Sequence, residues 1–219
     1  MNHLVEKAPD CQQAAILILG DFMHYDGMQP VTPTHGHLLD ADSRFPKMVR
    51  AAIKSIRYLV RRALEKHEHV RLIIEIGNHD LSSAIFLMEM FATLYELEPR
   101  VHVDNSPRNV HCFQFGRNMI GTHHGHKVKM QDLPSIFAND WKEIWGTTDY
   151  RVFHTGHVHH DNIKELVGGT AESHRILAPA DAHSSGSGYR SLQSMKAIIY
   201  HAEYGEVSRL TVNPAMLVA

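Results

Sequence analysis

Cysteine is scarce in this chain. Two residues, Cys11 and Cys112, stand far apart in 219 and form no metal-type pair, which excludes a disulfide framework and a thiolate zinc cluster and points to a reduced, cytoplasmic setting. Long apolar runs are absent too. None approaches the roughly 20 residues that a bilayer crossing needs, so no membrane partner is expected. The N-terminal Met1-Asn2-His3-Leu4-Val5-Glu6-Lys7 lacks the apolar core of a secretory signal. Neither sign of charge dominates: 22 basic and 24 acidic residues leave a formal net charge of −2, without the global basic excess of chains that live on nucleic acid. A local basic surface stays compatible with that balance. With hydrophobic residues at 43% and charged residues at 21%, the composition is that of a globular protein, and the length suits a single α/β domain over residues 1–219. One residue type is plentiful: 19 histidines outnumber the 14 glycines. Imidazole titrates near neutrality and ligates metals, so the positions of these residues decide their meaning.

Residues 14–20 form a continuous apolar run ending in Gly-Asp, the pattern of a buried parallel strand. A polar loop rich in Pro, Thr, His and Gly follows over 26–43. Helical spacing of Val49, Ala52, Ile53, Ile56, Val60, Ala63 and Leu64 predicts a helix over 46–66. A second buried strand is expected over 70–76, then a helix to about 97 with Ser82 and Ser83 as candidate caps. After Pro99 the character changes. Strands are expected at 101–103, 110–115, 119–122, 151–155, 163–167, 197–201 and 207–212, with one helix over 133–145. Alternating strand and helix followed by mostly strand suggests two packed mixed sheets with helices outside.

Four polar clusters stand at the ends of expected strands: Gly20-Asp21-Phe22-Met23-His24, Gly77-Asn78-His79-Asp80, Gly121-Thr122-His123-His124-Gly125-His126 and Gly156-His157-Val158-His159-His160. Open α/β sheets bind ligands at the carboxyl ends of their strands. Carboxylate, amide oxygen and imidazole nitrogen together suit hard or borderline divalent metals. Taken singly, each cluster also has a plain structural reading: a turn at Gly-Asp, an Asn-led turn with a capping Asp, a hydrogen-bonded Gly-His loop. Their order and shared placement carry the combined case.

That order, Gly-Asp-x-x-His, Gly-Asn-His-Asp, His-Gly, Gly-His-x-His, resembles motifs two to five of the calcineurin-like metallophosphoesterases over nearly the whole chain. Gly-Asp-Phe-Met-His is most similar to the branch that contains the nucleases of double-strand-break repair. Asp26-Gly27 and the Gly-His-Val-His-His ending also resemble prophage-type members. The resemblance implies an αββα sandwich and hydrolysis of phosphate esters by a metal-bound hydroxide. It implies Asp21 as a bridging carboxylate, with Asn78, His124 and His157 completing one metal site. His159 would belong to the second metal. His79 would assist the leaving oxygen and His24 would face substrate. His124 is chosen over His123 because the family's ligand directly precedes the glycine, and His126 and His160 are placed outside the ligand set. Manganese is the first choice of metal, with iron, zinc or nickel as alternatives, at one or two ions per chain.

The departure from the pattern is the missing first motif, Asp-x-His on an N-terminal strand. Only 13 residues precede Ala14, and no Asp-x-His lies upstream of Asp21. The chain reads as lacking the first strand, with an exposed strand edge beside residues 14–20 and a weakened site around His159. His24, Asp26 and Asp181-Ala182-His183 are the candidates for replacing the lost ligands. A second reading is therefore a non-catalytic or weakly active metal- or phosphate-binding module, and a third is a homo-oligomer that completes the site. Among substrates a phosphodiester leads, nucleic acid included, because of His24 and a basic stripe of Lys47, Arg50, Lys54, Arg57 and Arg61 that otherwise reads as a solvated helix face, and a small phosphomonoester or cyclic nucleotide is the alternative. His35 and His37 are read as exposed, Trp141 and Trp145 as packing, and residues 186–189 as a rim over the site.

Overall fold

A computed structural model describes residues 2–33, 36, 38–39, 41, 44–178 and 192–217. His35, His37, Asp181, His183 and residues 186–189 lie outside them. The chain divides into two compact units, the first ending at Asn109 and the second beginning at Val110 and including the C-terminal hairpin. The boundary falls close to the change of character after Pro99. The class is α/β, with mixed sheets of three, five and two strands flanked by helices. No helix among the described residues is long and apolar enough to cross a membrane.

The first unit opens with helix α1 (Asn2–Lys7), strand β1 (Gln13–Ile18), helix α2 (Phe45–Leu64), strand β2 (His69–Ile74), helix α3 (Leu81–Leu94) and strand β3 (Val101–Asp104). The strands are parallel in the order β1-β2-β3. Pro46 sits in the first turn of α2, where its missing N–H costs nothing. Ala52, Ile56, Val60 and Ala63 then bury one stripe of that helix against Ile18, Leu72 and Ile74. Central β2 is almost wholly buried, but β1 is half-exposed, with Ile18 its only buried residue. The expectation of a buried strand there is corrected: an apolar run reports what its faces could tolerate, not whether a partner lies on both sides. β1 has a strand on one side only among the described residues, the edge expected beside residues 14–20.

The second unit contains β4 (Val110–Phe115), β5 (Asn118–His123), helices α4 (Leu133–Asp140) and α5 (Lys142–Thr147), β6 (Tyr150–Thr155), β7 (Asn162–Leu166), β8 (Gly169–Ser173) and the hairpin β9 (Met195–His201)–β10 (Gly205–Val212). The five-stranded sheet runs β4-β5-β6-β8-β7, with β5, β6 and β8 parallel at its centre. The helix expected over 133–145 breaks at Trp141, whose φ of −126° and ψ of 57° leave the helical region. Asn139 and Asp140 are weak helix formers, and the Trp141 ring stacks on Phe137 at 5.1 Å. Phe137 in turn stacks on Phe153 of β6 at 4.7 Å. Gly121 permits this, since a Cβ there would lie 2.7 Å from the Phe137 ring. Trp145 joins the same cluster, so both tryptophans pack as expected. β6 alternates in the usual way: Phe153 faces the helices, and His154 on the opposite face meets the hairpin.

Candidate metal centre

In the first unit the chain leaves β1 through two successive left-handed residues, Gly20 (φ 83°) and Asp21 (φ 51°). Glycine takes that conformation readily; aspartate does so at a cost of about 1–3 kcal/mol. The turn is held by Asp80, which is fully buried. Its Oδ1 accepts the N–H groups of Asp21 and Gly77, both at 3.1 Å, and its Oδ2 accepts those of Phe22 (2.8 Å) and Met23 (3.1 Å). One carboxylate thus fills a concavity of consecutive N–H groups and ties the end of β1 to the end of β2. Burial lifts the Asp80 carboxyl to about 6; the Met23 N–H pulls it down and the Asp21 charge pushes it up. Gly77 is required here on space alone, because a Cβ would fall 2.1 Å from Asp21 Oδ1 and 2.2 Å from Asp21 N.

The Asp21 carboxylate is aimed by the backbone of the next motif: His79 N–H donates to Oδ1 at 2.8 Å. The His79 ring donates Nδ1–H to the His24 carbonyl at 2.9 Å, and the two rings lie 6.1 Å apart. The structure therefore brings Asp21, His24 and His79 into one constellation at the carboxyl ends of β1 and β2, with Asn78 in the same loop as His79.

One expectation about this loop is corrected. Ser82 and Ser83 do not cap α3. Asp80 occupies the N-cap position but makes no cap hydrogen bond. The orphan donors of the helix are taken by Asp26 instead, which accepts Ser82 N–H at 2.6 Å, Ser83 N–H at 3.0 Å and the Ser83 hydroxyl. Both oxygens of Asp26 are thereby engaged in holding the start of α3.

In the second unit, His123 ends β5 and His124 follows it, and His157 and His159 follow β6. His123 and His124 are both buried, but they differ in what they hold. His123 Nδ1 accepts the Gly125 N–H at 2.8 Å, which puts its proton on Nε2 and leaves that ring no lone pair to offer a metal. Burial, aided by His126, His124, Lys127 and His157, lowers its pKa to about 4, so the ring stays neutral. This favours His124 as the ligand. The rings of His124 and His157 lie 5.1 Å apart, and the His124 carbonyl accepts the Gly156 N–H at 2.9 Å, locking the two loops together. His126, set aside in the sequence reading, is part of the group, with its ring 5.0 Å from His124 and 6.1 Å from His157. His160 is exposed and bonds the Val158 carbonyl at 2.8 Å. His157 (φ 65°) and His159 (φ 56°) are left-handed; with Asp21 they are the only non-glycine residues in that region among the described ones.

A second histidine group had no sequence signal. His154, Glu172 and His174 bring donor atoms within 4.8 Å of one another and could bind a metal ion. Two features weigh against it. Glu172 is already held by Lys196 at 2.8 Å and by Arg209 at 2.9 and 3.2 Å, so a further cation would meet two positive charges. The ring nitrogens are also committed: Tyr200 hydroxyl to His154 Nε2 at 3.0 Å, His154 Nδ1 to His174 Nε2 at 2.9 Å, and His174 Nδ1 facing Glu172 at 3.7 Å. Burial lowers His154 to about 3 and depresses His174 as well. Burial alone would raise Glu172, but the Lys196 hydrogen bond, the His174 charge and the Arg209 hydrogen bond hold it down to about 2. Strand β8, which carries Glu172, was not expected; a glutamate in a short polar segment reads as solvent-facing.

No protein-family model, curated protein or solved structure matches the chain.

Proposed function

We propose that the chain is a metal-dependent hydrolase of phosphate esters, with a phosphodiester as the leading substrate, and that Asp21, Asn78, His124 and His157 hold a divalent ion. The observation that carries this reading is the backbone strain. Asp21, His157 and His159, the only described non-glycine residues with positive φ, are all positions that the metallophosphoesterase resemblance assigns to metal ligation. Such strain persists where surrounding structure over-determines it and gathers at functional sites. The donor chemistry fits as well: one carboxylate, one amide and imidazoles suit manganese, iron or zinc.

When bound, the ion would polarise a phosphoryl oxygen and lower the pKa of a water. The residues of the chain do the rest. Asp80 rigidifies the Asp21 turn through four N–H groups, and His79 N–H orients the Asp21 carboxylate. With Nδ1–H given to the His24 carbonyl, His79 Nε2 is the atom that would deliver a proton to a leaving oxygen when the ring is charged. His159 would contribute to a second, weaker ion.

Metal content of the purified chain, measured beside turnover of bis(p-nitrophenyl) phosphate, tests the reading. Asn78→Ala and His124→Ala should lose both metal and turnover. His79→Ala should keep the metal and lose turnover. Unchanged metal content in both ligand variants contradicts the assignment, and stoichiometric metal without turnover of the diester leaves a binding module.

A further inference from the structure

Helix α2 carries Lys47, Arg50, Lys54, Arg57, Arg61 and Arg62 and no acidic residue. The first five are all exposed and recur at i, i+3, i+7, i+10 and i+14, one line along the helix. Arg44, also exposed, precedes the first turn. At about 1.5 Å per residue the line from Lys47 to Arg61 is about 21 Å long. Charge on the neighbouring flank is handled differently. Arg62 pairs with Glu6 and Glu65, and Lys66 pairs with Asp10. Among the described residues none of the five stripe cations is in an ion pair, and the ion pairs beside α2 lie on its flank. In a chain with net charge −2 this is a segregated positive surface, without an acidic partner among the described residues.

We propose that this face of α2 binds the phosphodiester backbone of a nucleic acid, which, given the hydrolase reading above, makes nucleic acid the substrate class. The shape of the surface selects the partner. A membrane-surface helix needs an apolar face to insert, but Ala52, Ile56, Val60 and Ala63 of α2 are buried in the core. An acidic peptide would need a groove, and the stripe runs along a convex helix. A linear polyanion matches a straight row of cations with nothing apolar between them. The row also starts in the right place: Phe45, at the first turn of α2, packs its ring 5.9 Å from that of Tyr25, the residue after His24. A strand lying along α2 is thereby led to the loop that carries His24 and Asp21.

The test is fluorescence anisotropy of a labelled 30-nucleotide single strand and its duplex with the full chain in EDTA, titrated from 50 to 200 mM salt. Omitting metal separates this proposal from the hydrolase reading. Each phosphate neutralised contributes roughly 0.9 to the log–log salt slope on a duplex and roughly 0.7 on a single strand. The triple variant Lys54→Gln, Arg57→Gln, Arg61→Gln should bind at least about tenfold more weakly at 50 mM salt, with a slope lower by about 2 to 3. The double variant Arg57→Gln, Arg61→Gln should fall between, and circular dichroism should report an unchanged fold in both. Absence of salt-dependent binding by the unmodified chain, or equal binding by the triple variant, overturns the proposal. So does binding to phosphatidylserine vesicles with none to either oligonucleotide. Failure of the hydrolase reading looks different: the stripe still binds, and the metal-loaded chain leaves bis(p-nitrophenyl) phosphate intact.

Discussion

His154 and His157 stand three residues apart, one on β6 and one in the loop that leaves it, and they put imidazole to opposite uses. His154 is buried in ordinary strand geometry, with both ring nitrogens engaged by Tyr200 and His174. His157 occupies a left-handed conformation that its own side chain disfavours, beside His124. In the first case the surroundings satisfy the ring. In the second they hold the backbone in a state that histidine tolerates better than most side chains but still disfavours. Asp80 and Asp21 repeat the contrast in the first unit: a satisfied carboxylate supporting a strained one. The histidine content of the chain therefore does not mark a site by itself. On the function proposed above, strain with clustered donors marks one, and satisfaction marks structure.

The largest effect that can test this contrast is expected at Glu172. Glu172→Ala would remove the buried carboxylate that Lys196 and Arg209 share and leave them Asp161 and Glu206, at a cost of about 3 kcal/mol in urea unfolding, with metal content untouched. A loss of metal in that variant would make the His154 group the metal site and invert the comparison. Next is Asp80→Asn, which turns an amide NH2 toward backbone N–H donors and should cost about 3 kcal/mol. Here metal affinity should fall too, because the Asp21 turn loses its support; full metal affinity in the variant would show that Asp80 only stabilises.

Acidification should destabilise the fold through the His154 group. Folding depresses His154 from 6.5 to about 3, so its contribution is complete above 6.5 and is lost as pH falls from there toward 3. From pH 7.5 to 5 that amounts to about 2 kcal/mol of unfolding free energy for this residue alone. His174, also depressed, adds in the same direction. Glu172 adds a loss between 4.5 and about 2. Replacing His154 by Gln should flatten the upper part of this profile; an unchanged slope would mean that the buried pair does not govern it. The smallest effect has the opposite sign. His157→Gly relieves a left-handed side chain and should raise the stability of the metal-free chain by about 1 kcal/mol while weakening metal binding. Destabilisation on that change would show that His157 is held for packing rather than for a ligand.

Element type was legible wherever one physical rule dominated locally. The apolar stripe of α2, the buried run of β2 and the closing hairpin all stand where periodicity placed them, because a face that must leave water leaves its period in the sequence. The same rule misplaced detail wherever a distant partner intervened. Asp26, not Ser82 or Ser83, serves the N-terminus of α3. Trp141 ends α4 to stack on Phe137. β1 lies at an edge.

The candidate site divides along the same line. Which residue types stand at strand ends, and in what order, is written in the chain: Asp21, Asn78, His79, His124, His157 and His159 were all nameable from it. That Asp80 gathers four N–H groups, that His123 is occupied by Gly125, and that His154 belongs to a charge-compensated network were not. Nor was the positive φ at Asp21, His157 and His159. Asp and His tolerate that backbone state better than most side chains but still disfavour it, so the packing and hydrogen bonds of the folded chain decide where it occurs.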